Sequence, residues 1–402
     1  MMYKESLRIT SRPAPFADAN FPDNPSDGRF AWPSPVIAWR DKIAPAPGDG
    51  SVNLLWVLTG VLATVMFLAA CGGKGELFAR GLNQPRGMAF DDAGNLYVTE
   101  AGAVDPQDDR SVSPIINWSS RIVRIAPDGQ ITPVLEGLPF TNYVTAGDIG
   151  ATDVLVLGSA IYILTGEGYD DELSRTVLRI TPNGSPQVVV NVLRFIESIT
   201  PVDSLIGAGG SHASNPYAMT VAPDEQAIYI SDGASGRVLE VTLDGAARVF
   251  AELPQMPPLT GLAFGPDGRL QLALFSELPL GPGKGAIWAA DSAGELTPVV
   301  TGLTLPVDLG FDAAGTLYVL EFSDGGTPAQ PAYTPNSGRL LRIEHNGAAT
   351  VVLERLNYPT ALLFSPAGDL YLTVNGAFSK PGEGAILRVP CRSLGSPTAC
   401  PP

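Results

Sequence analysis

The stretch PRGMAFDDAGNLYVTE, residues 85–100, decides the fold because its pattern returns along the whole chain. A short apolar segment runs into a tight turn, and an alternating segment follows the turn. The apolar segment recurs as PYAMTV from 216, LTGLAF from 259, PVDLGF from 306 and PTALLF from 359. The turn and the alternating segment recur with it, as in DAAG and TLYVLE after PVDLGF. Such recurrence indicates a repeat architecture.

Each unit continues with two more strand-like segments, and a sixth copy lies within residues 153–193, where its first turn is shortened to Gly158-Ser159. The turn glycines Gly268, Gly315 and Gly368 are 47 and 53 residues apart. Four short strands joined by glycine-containing hairpins at this period are typical of a propeller blade. The sequence therefore predicts an all-β fold, a six-bladed β-propeller over residues 76–391. A two-sheet all-β domain would not explain the recurrence.

The last unit stops after its third strand, whereas the segment ELFARGL, residues 76–82, precedes the first unit and ends like the other fourth strands. Pairing the two would close the ring and cover two strand edges. We therefore expect the N-terminal strand to complete the last four-stranded antiparallel blade, with Leu77 or Phe78 buried according to the register.

Composition narrows the function classes. The 402-residue chain has a formal net charge of -16, which argues against a nucleic-acid partner because phosphate binding needs clustered Lys and Arg. Only two histidines are present, so most histidine-based zinc sites and a Ser-His-Asp triad are hard to build. The 44 glycines and 37 prolines fit many short strands and tight turns.

The N-terminal part has the features of an export signal, placed at residues 51–71. An uncharged apolar run over 54–71 follows basic residues and ends in Leu-Ala-Ala-Cys71, which resembles a bacterial lipobox. We expect Cys71 to carry a lipid and the protein to be an extracytoplasmic, membrane-anchored lipoprotein, in the periplasm or at the cell surface. The alternative is an uncleaved membrane anchor, since the run is just long enough to span a bilayer.

Residues 1–50 are rich in Pro, Ala and Asp and lack periodicity, so we expect either disorder or an over-extended gene start. The other two cysteines, Cys391 and Cys400, lie near and within the C-terminal tail, 392–402. In an exported protein they can oxidise, and we favour a disulfide between them over two independent thiols.

The block GLNQPRGMAFDDAGNLYVTEAG resembles the opening of the ScyD/ScyE family, and the likeness extends over residues 76–391. The blades are also similar to NHL repeats and, more distantly, to the propellers of the SMP-30 and strictosidine-synthase class. The resemblance implies an exported six-bladed propeller and carries no established chemistry.

One face of the ring carries the longer loops, and we call it the elaborated face. Gaps between second and third strands swell at 101–119, 276–284, 322–337 and 375–383, and the connection over 196–214 emerges on the same face. Insertions on one face usually mark the binding side. These and neighbouring loops carry acids, tyrosines and a lysine: Asp105, Asp108, Asp109, Tyr169, Asp170, Asp171, Asp324, Tyr333 and Lys380.

The ends of the second strands point to the same face and alternate acids with neutral residues: Glu100, Thr165, Asp232, Leu274, Glu321 and Val374. With two neighbours, this position predicts a ligand site at the channel mouth, made of Arg86, Glu100, Asp232, Glu321 and Asn375. Its three acids are candidate ligands for a hard cation such as calcium. The alternative is structural: such acids accept backbone N–H bonds and tie loops together.

Two function classes remain. The leading interpretation is a monomeric, non-enzymatic module that binds a small molecule, glycan or protein on the elaborated face and the membrane through its lipid. The alternative is a calcium-dependent, lactonase-type hydrolase, which the distant resemblance implies. Those enzymes hold calcium with a Glu, two Asn and an Asp, and only the acids are loosely matched here. A third class, a quinone-dependent sugar dehydrogenase, would need a basic, histidine-containing site, which a chain with two histidines and a net charge of -16 hardly offers.

Overall fold

The computed structural model describes residues 7–8, 75–104, 114–143, 147–170, 172–182, 184–200, 214–254, 257–277, 279–327, 330–395 and 400. Six antiparallel sheets form a ring, because the first strand of each sheet contacts the first strand of the next and the last contacts the first. The predicted six-bladed β-propeller is confirmed. Its six hydrophobic clusters lie within and between neighbouring blades.

The chain enters the ring through its closing strand. A two-residue strand, β1 (Leu7–Arg8), pairs in parallel with the outer strand of blade 1, and the closing strand is β2 (Glu76–Leu82). Blade 1 then contains β3 (Pro85–Phe90), β4 (Leu96–Glu100), β5 (Ile115–Ile125) and β6 (Ile131–Tyr143), with β7 (Gly147–Ile149) added to the outer strand.

The next three blades follow the same order from the channel outward. Blade 2 contains β8 (Ala151–Leu157), β9 (Ala160–Thr165), β10 (Thr176–Ile180) and β11 (Gln187–Asn191). Blade 3 contains β12 (Pro216–Val221), β13 (Ala227–Asp232), β14 (Arg237–Thr242) and β15 (Ala247–Glu252). Blade 4 contains β16 (Leu259–Phe264), β17 (Leu270–Leu274), β18 (Gly285–Ala290) and β19 (Leu296–Leu303).

The last two blades differ in their loops and in their closure. Blade 5 contains β20 (Pro306–Phe311), β21 (Leu317–Glu321), β24 (Gly338–Ile343) and β25 (Ala349–Leu356), with the small hairpin β22 (Gly326–Thr327) and β23 (Gln330–Pro331) in its loop. Blade 6 contains β26 (Leu362–Phe364), β27 (Leu370–Val374) and β28 (Gly384–Val389), and β2 is its outer strand.

The predicted ring closure is therefore confirmed. β2 pairs antiparallel with β28, and the register shifts twice along the pair. These bulges bury Ala79 and Leu82 and leave Leu77 and Phe78 only partly buried. The Phe78 ring also packs edge-on against Tyr371, with ring centroids 5.0 Å apart.

The turn between first and second strands explains the recurring Asp and Gly. In blade 5, Oδ1 of Asp312 accepts hydrogen bonds from the backbone N–H groups of Ala314 and Thr316, at 3.0 and 2.9 Å. Gly315 adopts φ 80°, a left-handed conformation that glycine adopts without steric cost. The short polar side chain and the glycine together fix the hairpin.

The connection that follows β11 begins with an element that the strand pattern does not predict. Helix α1 (Val192–Ile199) follows β11, and the Asn191 side chain caps it by accepting a hydrogen bond from the N–H of Arg194 at 3.0 Å. At the other end of the chain, a 3₁₀ turn (Cys391–Ser393) follows β28, and a disulfide joins Cys391 to Cys400.

The export segment lies outside the described residues, and so does Cys71. Of the loop residues named above, Asp105, Asp108, Asp109 and Asp171 also lie outside them. Within the part of the chain that the structure describes, no helix is long and apolar enough to cross a membrane.

Candidate functional site

Glu321, one of the three predicted mouth acids, is held by internal partners. Its Oε1 accepts the backbone N–H of Thr304 at 2.6 Å, and its Oε2 accepts Nε of Arg339 at 2.8 Å. Burial raises the pKa of Glu321, while these two donors oppose the shift. The carboxylate therefore ties the blade 4–5 connection to the third strand of blade 5.

The other two acids are also buried and internally bonded. Glu100 accepts the N–H of Asn83 and pairs with Arg121, an arrangement parallel to that of Glu321. Asp232 accepts one hydroxyl and three backbone N–H groups, from Ser214, Asn215, Ala234 and Ser235. All three acids thus have the loop-tying contacts that the structural alternative predicts.

The predicted calcium ligands are not brought together. Glu100, Asp232 and Glu321 belong to blades 1, 3 and 5, and among the described residues no group of three or more acids, histidines or cysteines is placed to hold a metal ion. Asn375 is likewise held by internal partners: its Oδ1 accepts Nδ2 of Asn357 at 2.7 Å, and its Nδ2 donates to the backbone carbonyl of Glu383.

The first strands instead enclose a cavity of about 320 Å³ in the central channel. Every blade contributes to its wall, and of the five predicted ligand residues Arg86 alone belongs to the lining. In blades 1 to 5 the register of the first strand shifts near its start. Such bulges re-aim side chains, so they set which groups reach the channel.

We number the residues of the recurring first-strand segment, which in blade 6 begins at Pro359, before β26. Its third residue repeats around the channel with a period of three blades. In blade order it is Gly87, Asp153, Ala218, Gly261, Asp308 and Ala361. The two acids therefore stand in blades 2 and 5, on opposite sides of the ring. Aligning this position, rather than the ends of the second strands, would have revealed them from the sequence.

Each channel acid bonds to the next blade. Asp153 accepts the N–H of Met219 in blade 3 at 2.6 Å, and Asp308 accepts the N–H of Leu362 in blade 6 at 2.8 Å. The second oxygen of each acid accepts the N–H of the residue that follows it, at 2.8 and 2.9 Å. We call these two acids the channel acids.

Burial raises the pKa values of both channel acids toward neutrality. Desolvation raises the pKa of Asp153 to about 8, and the charge of Asp308 adds to the shift, whereas the backbone N–H donors oppose it. Desolvation raises the pKa of Asp308 to about 7, again against two N–H donors. Two carboxyl groups that titrate near neutrality in one cavity are typical of a functional site.

Arg86 and Tyr217 supply the other strongly polar groups of the channel. Nη2 of Arg86 donates to the backbone carbonyl of Asp148 at 2.7 Å, and Tyr217 lines the same cavity. Burial lowers the pKa of Arg86, while Tyr217 and Asp148 oppose that shift. Burial also raises the pKa of Tyr217.

The second residue of the same recurring segment has one role in even-numbered blades and another in odd-numbered blades. In blades 2, 4 and 6 it is a threonine that donates to the next blade, with Thr152, Thr260 and Thr360 bonded to the carbonyls of Pro216, Pro306 and Pro85. In blades 1, 3 and 5 the same position holds Arg86, Tyr217 and Val307. The three threonines thus hold blades together, and Thr152 and Thr360 also line the cavity, as Arg86 and Tyr217 do.

The channel does not offer a suitable donor set for calcium. Calcium takes six to eight oxygen ligands, whereas both oxygens of each channel acid already accept an N–H group. The Arg86 guanidinium in the same wall would also repel a cation. The lactonase-type ligand set of one Glu, two Asn and one Asp does not fit these residues.

Comparison with known proteins finds likeness in structure only. No family model and no curated protein match this chain. A gluconolactonase of Xanthomonas campestris gives a TM-score of 0.50 at 17% identity, covering 81% of this chain and 92% of its own. An oxidoreductase of a Thermus species, described as a glucose dehydrogenase, gives 0.50 at 17% identity over 78% and 98%. A Bacteroides thetaiotaomicron protein of unknown function gives 0.50 at 12% identity over 78% and 75%. At these identities the likeness shows a shared β-propeller fold.

Proposed function

We propose that the protein binds a small hydroxylated molecule in its central channel, and that the reaction this channel supports is hydrolysis of a lactone. The observation that carries the proposal is the joint placement of Arg86, Tyr217 and the two channel acids in one cavity of about 320 Å³. A concave, largely apolar site with a few convergent polar groups is the usual setting for small-molecule binding.

Arg86 and Tyr217 are suited to hold the carbonyl oxygen of a cyclic ester. Both donate hydrogen bonds, and Arg86 carries a positive charge that the cavity wall shields from water. Negative charge develops on that oxygen when water attacks the ester carbon. Fixed donors in a site of low dielectric stabilise such charge strongly.

The channel acids are suited to move the two protons. Asp308, with a pKa of about 7, is the better base and would take a proton from the attacking water. Asp153, with a pKa of about 8, is the better acid and would give its proton to the ring oxygen as the ester C–O bond breaks. The product is the open hydroxy acid. Acid and base groups work best with pKa values near the operating pH.

The likeness to the Xanthomonas campestris gluconolactonase guides the choice of substrate. D-Glucono-δ-lactone is small enough for the cavity and combines a lactone carbonyl with several hydroxyl groups. We further propose export, lipid attachment at Cys71 and a membrane-proximal location, on the evidence of the lipobox-like sequence. A monomeric state stays a prediction. ScyD/ScyE membership stays a prediction from the sequence.

The test measures proton release from D-glucono-δ-lactone above its spontaneous hydrolysis. We expect the protein to accelerate the reaction, and Arg86→Gln to slow it by about 100-fold or more, as for loss of an oxyanion donor. Asp308→Asn is expected to slow it by about 100-fold as well, since a general base contributes at least this much. Arg269→Gln, in an exposed turn of blade 4, is the matched control and should leave the rate unchanged.

Binding without chemistry is the second candidate, and the same proteins separate it from hydrolysis. If the wild type binds gluconate by calorimetry without accelerating hydrolysis, and Arg86→Gln loses that binding, the channel is a binding site only. If the wild type neither hydrolyses the lactone nor binds gluconate, the channel proposal is wrong.

A further inference from the structure

Beside the channel, on the elaborated face, five aromatic rings from blades 4 to 6 contact one another. They come from the ends of second strands, from loops and from the start of blade 6: Phe275, Phe322, Tyr333, Tyr358 and Phe378. Phe322 and Tyr358 are buried, and Tyr358 donates its hydroxyl hydrogen bond to the carbonyl of Tyr333 at 2.9 Å. The cluster is therefore a fixed part of the fold.

Phe378 is the exposed member of this cluster. Its side chain is 46% exposed, although its ring lies almost parallel to that of Tyr333, with centroids 5.9 Å apart and planes inclined by 26°. Its backbone has φ 54°, in the left-handed region that non-glycine residues seldom adopt. A ring held open to solvent on a rigid aromatic base is placed to bind rather than to fill the core.

Phe378 also reaches across the ring closure to the polar side of the channel. A Cβ atom on Gly147 of β7 would lie 3.0 Å from its Cε1. Gly147 immediately precedes Asp148, whose backbone carbonyl accepts the hydrogen bond from Arg86. The exposed ring is therefore next to the residues that hold Arg86.

On the polar side of the channel, planar amide and carboxylate side chains form a hydrogen-bond network. The Asp148 carboxylate accepts hydrogen bonds from the side-chain amides of Gln84 and Asn142. Gln84 is only 3% exposed, and among the described residues its Oε1 has no hydrogen-bond partner. A buried acceptor without a partner is costly, so this atom is a candidate for bonding to a ligand.

We propose that Phe378 and the Gln84–Asn142–Asp148 network form a sugar-ring subsite at the mouth of the channel. A pyranose has an apolar face of C–H groups, which packs on a flat aromatic ring, and hydroxyl groups around its edge, which planar amide and carboxylate groups bind. An apolar platform beside a few polar groups is the general form of such sites. The proposal deepens the proposed function, on which it rests, by naming the residues that bind the sugar ring outside the channel cavity.

The experiment uses four probes, D-glucose, D-galactose, D-glucuronate and D-gluconate, with saturation-transfer NMR on the full chain. We expect the ring C–H protons of at least one pyranose to receive saturation from the wild type. Phe378→Ala should lower the affinity for it at least tenfold, and Phe378→Leu should behave alike because it lacks a flat face. Phe378→Tyr should retain binding. Val351→Ala removes a comparably exposed apolar side chain from β25 and serves as control.

The possible outcomes distinguish failure of the subsite proposal from failure of the channel proposal. If no pyranose receives saturation, or if Phe378→Ala binds it as the wild type does, the subsite proposal is overturned. If gluconate binding then still depends on Arg86, the channel site stands without it. If instead pyranose binding needs Phe378 while lactone hydrolysis and gluconate binding are absent, the subsite holds and the channel proposal fails. Equal melting temperatures of the variants show that each is folded.

Discussion

At the residue scale, two glycines leave space for the side chains of the channel acids. A Cβ on Gly87 would lie 1.9 Å from Oδ1 of Asp153, and a Cβ on Gly261 would lie 2.2 Å from Oδ1 of Asp308. Each acid also approaches the glycine with its backbone, since its own Cα would be 2.6 Å from the added atom. The glycine in one blade and the acid in the next are therefore one structural unit.

Substituting one of these glycines should destabilise the fold. Gly261→Ala forces apart two first strands, and overpacking of this kind costs about 1–3 kcal/mol or more. Gly281→Ala in the same blade is the control, because its new Cβ would meet only the Lys284 side chain, at 3.7 Å or more. Urea unfolding measures both, and equal midpoints for the two variants would contradict the close approach.

The raised pKa values of the channel acids predict a pH-dependent stability. Their ordinary value is 3.8, and burial raises it to about 8 for Asp153 and about 7 for Asp308. Between pH 4 and 8 the folded chain therefore binds more protons than the unfolded chain, so these groups stabilise it at low pH and lose that contribution as pH rises.

The matching experiment compares melting temperatures across that window. The double variant Asp153→Asn with Asp308→Asn should show a flatter profile between pH 4 and 8 than the wild type. Glu354→Gln, at an exposed position of β25, should leave the profile unchanged. Parallel profiles for the double variant and the wild type would show that other groups cause the dependence.

At the scale of elements, the strands follow from short-range patterns and the loop contacts do not. Alternation and turn residues such as Asp312 and Gly315 predict each hairpin, and the ending of ELFARGL predicts the closing strand. The acids at the ends of second strands are visible in the sequence, but their partners are not. Glu321 binds an N–H donor 17 residues earlier and an arginine 18 residues later, and only the folded blade brings these together.

Removing the closing strand should open the ring. A chain that begins at Asn83 lacks β2 and its pairing with β28, so we expect it to melt far below a chain that begins at Gly73, or to aggregate through the exposed edge. Within the full chain, Leu82→Ala should cost about 2–5 kcal/mol, because Leu82 is buried. Arg80→Ala, at an exposed position of the same strand, is the control. Similar melting of the two truncated chains would contradict the closure.

At the scale of the whole molecule, the sequence predicts the ring but does not identify the acids that line its channel. The periodic glycines and strands identify six blades. The candidate mouth acids bond internally, and the channel acids do not lie at the ends of second strands, where the pattern of acids drew attention. Their repeat, with Asp153 and Asp308 three blades apart, becomes visible only when the first strands are compared around the channel. Arg86 is the predicted residue that lines the cavity.

The absence of a shared acid cluster among the described residues predicts the response to calcium. With a net charge of -16, any divalent cation reduces charge repulsion in the folded chain. We therefore expect calcium and magnesium at equal ionic strength to change the melting temperature equally. A calcium-specific rise that Glu100→Gln with Glu321→Gln abolishes would instead establish the calcium site at the mouth.

The closing strand also has a consequence for the order of events during synthesis. Gly382 donates a hydrogen bond to Asn83, and these two residues are 299 positions apart in the chain. The ribosome therefore releases β2 long before its partner β28 exists. Until the last blade is made, β2 has no partner strand, and joining it to β28 closes a loop that spans nearly the whole domain. Sealing of the ring is thus a late step, and the nascent chain needs protection from edge-to-edge association until then.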